Sequence, residues 1–186
     1  MSQMECQFKI VIIGESGVGK SSLLERMVHG SFNPNQQITI GAAFYSLRET
    51  TSRGRIKLNL WDTAGAERYK SLQPLYLREA NIAIICSDSD DVNTFISYIN
   101  GIHNVEEKCH IVLVVTKFDR IEQSNPEELS EFVDSNGYSL FYTSAKTSQG
   151  VPQLKAFLVD MCTRIEKPRE VLPPVPIRRK SKCFLL

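Results

Sequence analysis

A glycine-rich stretch with a lysine and a hydroxyl residue at fixed spacing is the first feature that could do chemistry. Residues 14–21 read GESGVGKS, which fits the pattern G-x-x-x-x-G-K-[ST]. The stretch lies between an apolar run and a segment with helical spacing, so its backbone N–H groups over residues 17–21 are expected to face phosphates at a helix N-terminus. Lys20 is expected to neutralise the β- and γ-phosphates, and the Ser21 hydroxyl to take a Mg²⁺ position. The predicted phosphate-loop contacts are Gly14, Glu15, Ser16, Gly17, Val18, Gly19, Lys20, Ser21 and Ser22.

Two further short motifs, each following an apolar strand-like run, indicate which base the nucleotide carries. The first reads TKFD over residues 116–119 and the second reads SAK over residues 144–146. The Asp119 carboxylate can accept two parallel hydrogen bonds from N1–H and the exocyclic amine of guanine, which adenine does not offer. A desolvated carboxylate left unpaired discriminates by about 10⁴-fold or more. Ala145 is expected to offer its backbone N–H to the guanine O6. The predicted base-binding residues are Thr116, Lys117, Asp119, Ser144, Ala145 and Lys146.

The elements that must position these motifs follow from the hydrophobic pattern. Short apolar runs bounded by turn residues predict buried strands at residues 8–13, 82–86, 111–115 and 140–142. Two extended runs, 42–49 and 55–61, joined by Thr51-Ser52-Arg53-Gly54, predict a hairpin with Ile56, Leu58 and Leu60 on one face. Helices are predicted from Lys20 to His29, and at 92–102, 126–135 and 151–167, whereas the polar segment 62–77 is expected to be irregular.

Alternating strands and helices predict an α/β fold. We expect a six-stranded, mostly parallel sheet with one antiparallel edge strand and helices on both faces. In such sheets the ligand lies at the carboxyl ends of the strands, where all the motifs above fall. From Pro168 onward the composition turns Pro-rich and basic, which predicts a globular domain over residues 1–167 and an extended, mobile tail over 168–186.

The overall composition adds few constraints. The formal net charge is +1, so nothing calls for nucleic acid as a partner. The first residues have no secretory signature, and the apolar runs are too short to cross a bilayer. Cys6, Cys86, Cys109 and Cys162 are expected to be reduced thiols in or beside apolar segments. The aspartates at 88, 90 and 91 and the three histidines lack metal-ligand spacing and are expected to be solvated.

With these motifs in this order, the sequence closely resembles the Ras superfamily of small GTPases over residues 8 to about 167. The run WDTAGAERY at 61–69, the stretch IGAAF at 40–44, and Tyr76 resemble the Rab branch best. The resemblance implies a P-loop small G-domain whose switches are residues 33–43 and 63–77, ordered by GTP and released on hydrolysis. It implies that Phe32 lies against guanine, that Asp62 holds Mg²⁺ through water, and that Thr39 closes over the metal. The residues expected to act in hydrolysis are Lys20, Thr39 and Gly65, whose N–H contacts the γ-phosphate.

The same resemblance implies an effector surface, formed by Ile40, Phe44, Trp61 and Tyr76. The three aromatic residues match the triad that Rab proteins present to effectors. The alternative is that these aromatic rings only pack the hairpin against the switch helix.

Two departures from the family pattern bear on activity. Ala66 stands where the family has the Gln that orients the attacking water, so slow intrinsic hydrolysis is expected. The alternative is that another side chain or a partner protein supplies the contact. Thr116 replaces the more usual Asn, keeping a hydroxyl for loop-to-loop bonding.

The tail ends in a Cys followed by two apolar residues and Leu, after four basic residues. Cys183-Phe184-Leu185-Leu186 fits the geranylgeranyl form of the C-a-a-X signal. One lipid chain anchors weakly, and the basic residues at 178–180 and 182 supply a second attraction of about 1 kcal/mol each near anionic lipid.

The leading hypothesis is therefore a prenylated, Rab-like GTPase that switches between GTP and GDP with Mg²⁺ and acts in vesicle traffic. Its expected partners are exchange factors, activating proteins, effectors, a prenyl-binding chaperone and a membrane. The protein is expected to be a monomer on the cytoplasmic face of an endomembrane or the plasma membrane, cycling with the cytosol. The alternatives are a constitutively GTP-bound scaffold, favoured by Ala66, and a Rho-like or Ras-like signalling GTPase. A P-loop kinase fits poorly because no acceptor site or lid is evident.

Overall fold

Six strands and five helices alternate along the chain in the computed structural model, which describes residues 5–65, 72–120 and 126–165. The strands are β1 (Cys6–Ile13), β2 (Ala42–Thr51), β3 (Gly54–Thr63), β4 (Ile82–Ser87), β5 (His110–Val115) and β6 (Ser139–Tyr142). The helices are α1 (Lys20–His29), α2 (Gln73–Leu77), α3 (Val92–His103), α4 (Pro126–Asn136) and α5 (Val151–Arg164). A 3₁₀ turn, Phe118–Arg120, follows β5.

The strands form one sheet in the order β2-β3-β1-β4-β5-β6. Only the β2–β3 pair is antiparallel, with Phe44 opposite Trp61, and β2 lies at the edge. The remaining neighbours pair in parallel. The predicted six-stranded sheet with one antiparallel edge strand is therefore confirmed, and the carboxyl ends of the parallel strands lie along one edge.

The sheet is covered on both faces because successive residues of its central strands point in opposite directions. Phe8, Ile10 and Ile12 of β1 pack with α1 and α5, whereas Val11 and Ile13 pack with α3 and α4. The hairpin residues Ile56, Leu58 and Leu60 lie in the first of these cores, as their alternation predicted.

Most element bounds agree with the prediction to within two residues, and two differ by more. The segment before β4, expected to be irregular, contains the short helix α2, with Pro74 near its start, where proline costs no hydrogen bond. Helix α5 ends at Arg164 because Ile165 is already extended, so the prediction of a helix reaching residue 167 is wrong at Ile165. The predicted tail over residues 168–186, and residues 66–71 of the predicted second switch, lie outside the described residues.

Among the helices of the described ranges, none has the length and hydropathy that a bilayer span requires. The three histidines are exposed, as expected. Cys86, Cys109 and Cys162 are buried, whereas Cys6 is exposed at the start of β1 and is not part of the core. All four are free thiols, as expected.

Candidate functional site

A pocket of about 260 Å³ opens at the carboxyl ends of the parallel strands. Its walls come from six segments: the loop after β1, the start of α1, the loop before β2, the end of β3, the loop after β5 and the turn after β6. Of the residues predicted from the sequence to bind nucleotide, most line this pocket. They are Ser16, Gly17, Gly19, Lys20, Ser21, Ser22, Phe32, Thr39, Gly65, Thr116, Lys117, Asp119, Ala145 and Lys146.

Four of the predicted residues do not line the pocket with the others. Val18 is buried in the core beneath the loop, and Ser144 is buried behind the turn after β6. Gly14 packs against the end of β4, where a Cβ would lie 2.1 Å from the Cys86 carbonyl oxygen. Glu15 lines a neighbouring cavity between α2 and α3. The side chains of Glu15 and Val18 therefore do not line the pocket, although the backbone of Gly14, Glu15 and Val18 belongs to the phosphate loop. Ser144 acts indirectly, because its hydroxyl donates to Asp119, which does line the pocket.

The loop after β1 leads into α1 with its N-terminus directed at the pocket. Gly19 precedes the helix in a left-handed conformation, and no described side chain caps the first turn. The orphan N–H groups of a helix start, together with the helix dipole, attract an anion. The Lys20 ammonium donates to the carbonyl oxygens of Gly14 (2.8 Å) and Glu15 (2.6 Å), so it lies across the loop. Burial lowers the pKa of Lys20, with nearby Asp62 acting in the opposite direction.

Three side-chain oxygens from separate segments meet beside this lysine. Ser21 Oγ lies 2.5 Å from Asp62 Oδ2 and 2.8 Å from Thr39 Oγ1, and Thr39 Oγ1 lies 3.1 Å from the same carboxylate oxygen. Asp62 is fully buried, and its Oδ1 has no hydrogen-bond partner among the described residues. Burial raises the pKa of Asp62, and the bonds from Ser21 and Thr39 oppose that shift. Hydroxyl and carboxylate oxygens with an orphaned buried acceptor are a donor set that suits Mg²⁺.

Gly65 follows β3 in close contact with the phosphate loop. A Cβ at this position would lie 2.3 Å from the Glu15 carbonyl carbon and 2.4 Å from the Ser16 nitrogen. Only a residue without a side chain allows the two backbones to approach this closely. Ala66, one residue further, lies outside the described residues.

The loops after β5 and β6 are hydrogen-bonded to each other and to the phosphate loop. The Ser144 hydroxyl donates to Asp119 Oδ1 at 2.6 Å, and Phe118 N donates to the Thr143 carbonyl at 3.0 Å. The Thr116 hydroxyl lies 2.5 Å from the Val18 carbonyl oxygen and 3.0 Å from that of Ser87. The loop-to-loop bond expected of a hydroxyl at position 116 is therefore present.

Two residues at this site were not singled out for it by the sequence. Arg26 of α1 donates to backbone carbonyls of the turn after β6. Asp88, expected to be merely solvated, forms an ion pair of 2.8 Å with Lys117. Nothing in the spacing of Arg26 on its helix distinguishes it from an ordinary surface residue. Asp88 did follow a strand end, which is a weak signal. Asp91 instead caps α3, accepting from Asn93 N at 3.0 Å.

A row of aromatic rings lies on the outer side of the two predicted switches. The ring centroids of Phe44 and Trp61 are 5.5 Å apart, and those of Trp61 and Tyr76 are 6.3 Å apart. Phe44 is 53% exposed and Ile40 is 78% exposed. The rings do pack the hairpin against α2, and they also form part of an exposed apolar surface. Ile38, in the loop before β2, and Leu72 and Leu75, just before and within α2, are exposed as well.

Fold and pocket together define the class. A six-stranded sheet in this order, with a glycine-rich strand–loop–helix opening on a pocket at the carboxyl ends, is a small G-domain. The sequence model of the Ras family matches residues 9–164, and the chain belongs to that family. It is 39% identical over 155 residues to the Ras-related protein Rab-5B of Plasmodium falciparum (isolate 3D7), covering 81% of this chain and 75% of that protein. The predicted identification as a small GTPase of the Rab branch is confirmed, and GTP hydrolysis to GDP is the activity of this class.

Proposed function

We propose that this chain is a Rab-type GTP/GDP switch that is tethered to a membrane and acts in vesicle traffic. The observation that carries the proposal is the convergence of the phosphate loop, Thr39, Gly65 and the Asp119 loop on one pocket. A nucleotide bound there would touch both the segments that read its base and the segments that sense its γ-phosphate. The similarity to a Rab protein supports the trafficking role over a Rho-like or Ras-like one.

In the proposed complex, each segment has a separate role. The N–H groups at the start of α1 and the Lys20 ammonium hold the phosphates. Asp119, fixed by the Ser144 hydroxyl, accepts from the guanine N1–H and exocyclic amine, while the Ala145 N–H meets O6. Phe32, which also lines the pocket, covers the base.

We further propose that Ser21, Thr39 and, through water, Asp62 hold Mg²⁺. This proposal is supported by the three side-chain oxygens that converge there and by Asp62 Oδ1, which has no hydrogen-bond partner among the described residues. Bound there, the ion would neutralise charge on the β- and γ-phosphates. Thr39 and Gly65 reach the pocket from residues 33–43 and 63–77, so loss of the γ-phosphate would release both segments.

The base selectivity is tested by competition with fluorescent GDP. We expect GTP and GDP to compete at least about 10⁴-fold better than ATP, because adenine leaves the Asp119 carboxylate unpaired. Asp119→Ala should remove most of this preference, whereas Asp134→Ala on α4, remote from the pocket, should keep it. Equal binding of GTP and ATP by the unchanged protein would contradict guanine as the ligand.

A constitutively GTP-bound scaffold is the second candidate, and Ala66 is the observation that favours it. A methyl group can neither donate nor accept the hydrogen bond that orients water, so GTP would persist. The nucleotide released from the purified protein by denaturation separates the two: mostly GTP supports the scaffold, and mostly GDP supports the switch.

Partners of the switch would be exchange factors, activating proteins and effectors that bind the exposed apolar surface around Phe44.

The membrane tether is proposed at Cys183, through a geranylgeranyl group supported by the basic residues of 178–182. A prenyl-binding chaperone would then carry the protein between membranes. Localisation of the tagged protein with and without Cys183→Ser tests the tether. Release to the cytosol is expected, whereas unchanged membrane association would refute the lipid anchor. Cys6→Ser, at the exposed start of β1, is the control that should leave the localisation unchanged.

A further inference from the structure

One side chain, Arg26 of α1, binds two separate walls of the nucleotide pocket. Its Nε donates to the Ala145 carbonyl oxygen at 2.7 Å, and its Nη2 lies 3.3 Å from that of Lys146. Its Nη1 donates to the Gly30 carbonyl oxygen at 2.5 Å. All of these acceptors are backbone atoms, and the two segments are more than a hundred residues apart in sequence.

Both segments border the pocket on the side proposed for the base. Ala145 and Lys146 line it in the turn after β6, and Phe32 lines it two residues beyond Gly30. Gly30 is also fixed by its own N–H, which donates to the Arg26 carbonyl at 3.1 Å. The start of the loop that carries Phe32 is therefore bonded to both the backbone and the side chain of Arg26.

A role confined to the end of α1 does not account for this geometry. A C-terminal arginine that only capped its own helix would need the Gly30 carbonyl alone. Two of the three contacts instead go to the turn after β6, and no carboxylate among the described residues pairs with the guanidinium. A planar guanidinium can serve three carbonyls in a fixed arrangement, which a lysine ammonium on a flexible stem does not reproduce.

We propose that Arg26 is a positioning residue for guanine. It holds the Ala145–Lys146 turn and the start of the Phe32 loop at a fixed separation, so that the Ala145 N–H is aligned with O6 before the base enters. The inference rests on the guanine binding proposed above. Arg26 itself contacts no nucleotide atom and acts through the two backbone segments.

The test compares two diphosphates that differ at O6. Dissociation constants are measured, by competition with fluorescent GDP, for GDP and for 6-thioguanosine 5′-diphosphate. This analogue keeps N1–H and the exocyclic amine but carries sulfur, a weak acceptor, in place of O6. Arg26→Ala should weaken GDP binding about tenfold, as expected when charge-assisted hydrogen bonds that align a polar contact are lost. It should weaken binding of the analogue less than about twofold, because the contact to position 6 is already weak there. The dissociation constant of Arg26→Lys for GDP should be closer to that of Arg26→Ala than to that of the unchanged protein.

Arg53→Ala is the matched control, since Arg53 makes a similar bond to a backbone carbonyl, that of Thr163, at the far end of the hairpin. It should alter neither dissociation constant. If Arg26→Ala does not fold, Arg26→Gln carries the same comparison. Equal weakening of both diphosphates, or no weakening of either, overturns the inference. Failure of the unchanged protein to bind GDP would overturn the proposed function and this inference with it, whereas GDP binding with equal weakening overturns the inference alone.

Discussion

At the scale of single residues, position 66 carries the departure from the family pattern that bears on hydrolysis. The residue there is Ala, whose methyl group cannot orient an attacking water. Loss of one such oriented contact costs on the order of 10²–10³ in rate. We therefore expect Ala66→Gln to raise single-turnover GTP hydrolysis by a factor within that range. Ala64→Ser, in the same segment, is the control for a nonspecific effect. An unchanged rate in Ala66→Gln would mean that another group already supplies the contact.

Thr116 connects the base-reading loop to the phosphate loop through a single buried hydroxyl. Thr116→Val keeps the shape but removes the donor to the Val18 carbonyl, which costs about 1–2 kcal/mol. We expect GDP release to accelerate about tenfold, measured by chase of fluorescent GDP. Thr116→Ser keeps the hydroxyl, so it should release GDP at nearly the same rate as the unchanged protein. Equal rates for Thr116→Val and Thr116→Ser would mean that this hydroxyl does not couple the loops.

At the scale of elements, the segment after β3 must lie against the phosphate loop for Gly65 to sense a γ-phosphate. A methyl at 65 would meet the Glu15 and Ser16 backbone, so one of the two must move. We expect Gly65→Ala to weaken GTP binding by about 10–100-fold and GDP binding by less than about threefold. The loss for GTP corresponds to one hydrogen bond to a charged group.

Gly101→Ala is the control for that substitution, because a Cβ there meets nothing within 4 Å and α3 gains a better helix former. Both nucleotides should then bind as in the unchanged protein. Equal weakening of GTP and GDP by Gly65→Ala would mean that this residue does not distinguish the two states.

The elements were more predictable than the contacts between them. The phosphate loop, the hairpin and all six strands could be predicted, because hydrophobic period and glycine-rich motifs are local signals. The end of α5 could not, since Ile165 leaves the helix without any breaker of its own before Pro168. Arg26 and Asp88 could not be assigned either, because their partners, Ala145 and Lys117, become neighbours only through the fold.

At the scale of the whole molecule, the sheet separates two apolar cores, and the pocket lies where its strands end. The core on the α1 and α5 side includes Cys86 beneath the phosphate loop and Cys162 on α5. Helix α1 therefore has its first turn at the pocket and its apolar face in the same core as α5. Packing against α5 should thus affect the position of the phosphate loop without any direct contact between α5 and nucleotide.

The buried thiol of Cys162 gives this core a specific sensitivity to alkaline pH. Burial raises its pKa to about 12, compared with about 8.5 for an unfolded cysteine. Because the folded state binds the proton more tightly, the stabilisation is fully present below about pH 8.5 and is lost as the pH rises toward 12. We expect Tm to fall between pH 8.5 and 10, and to fall less steeply in Cys162→Ala. The slope of Tm against pH separates the effect of thiol titration from that of the cavity left by the substitution, because the cavity lowers Tm equally at every pH. Cys6→Ala removes an exposed thiol and should leave the slope unchanged. Parallel curves for Cys162→Ala and the unchanged protein would mean that this thiol stays outside the alkaline transition.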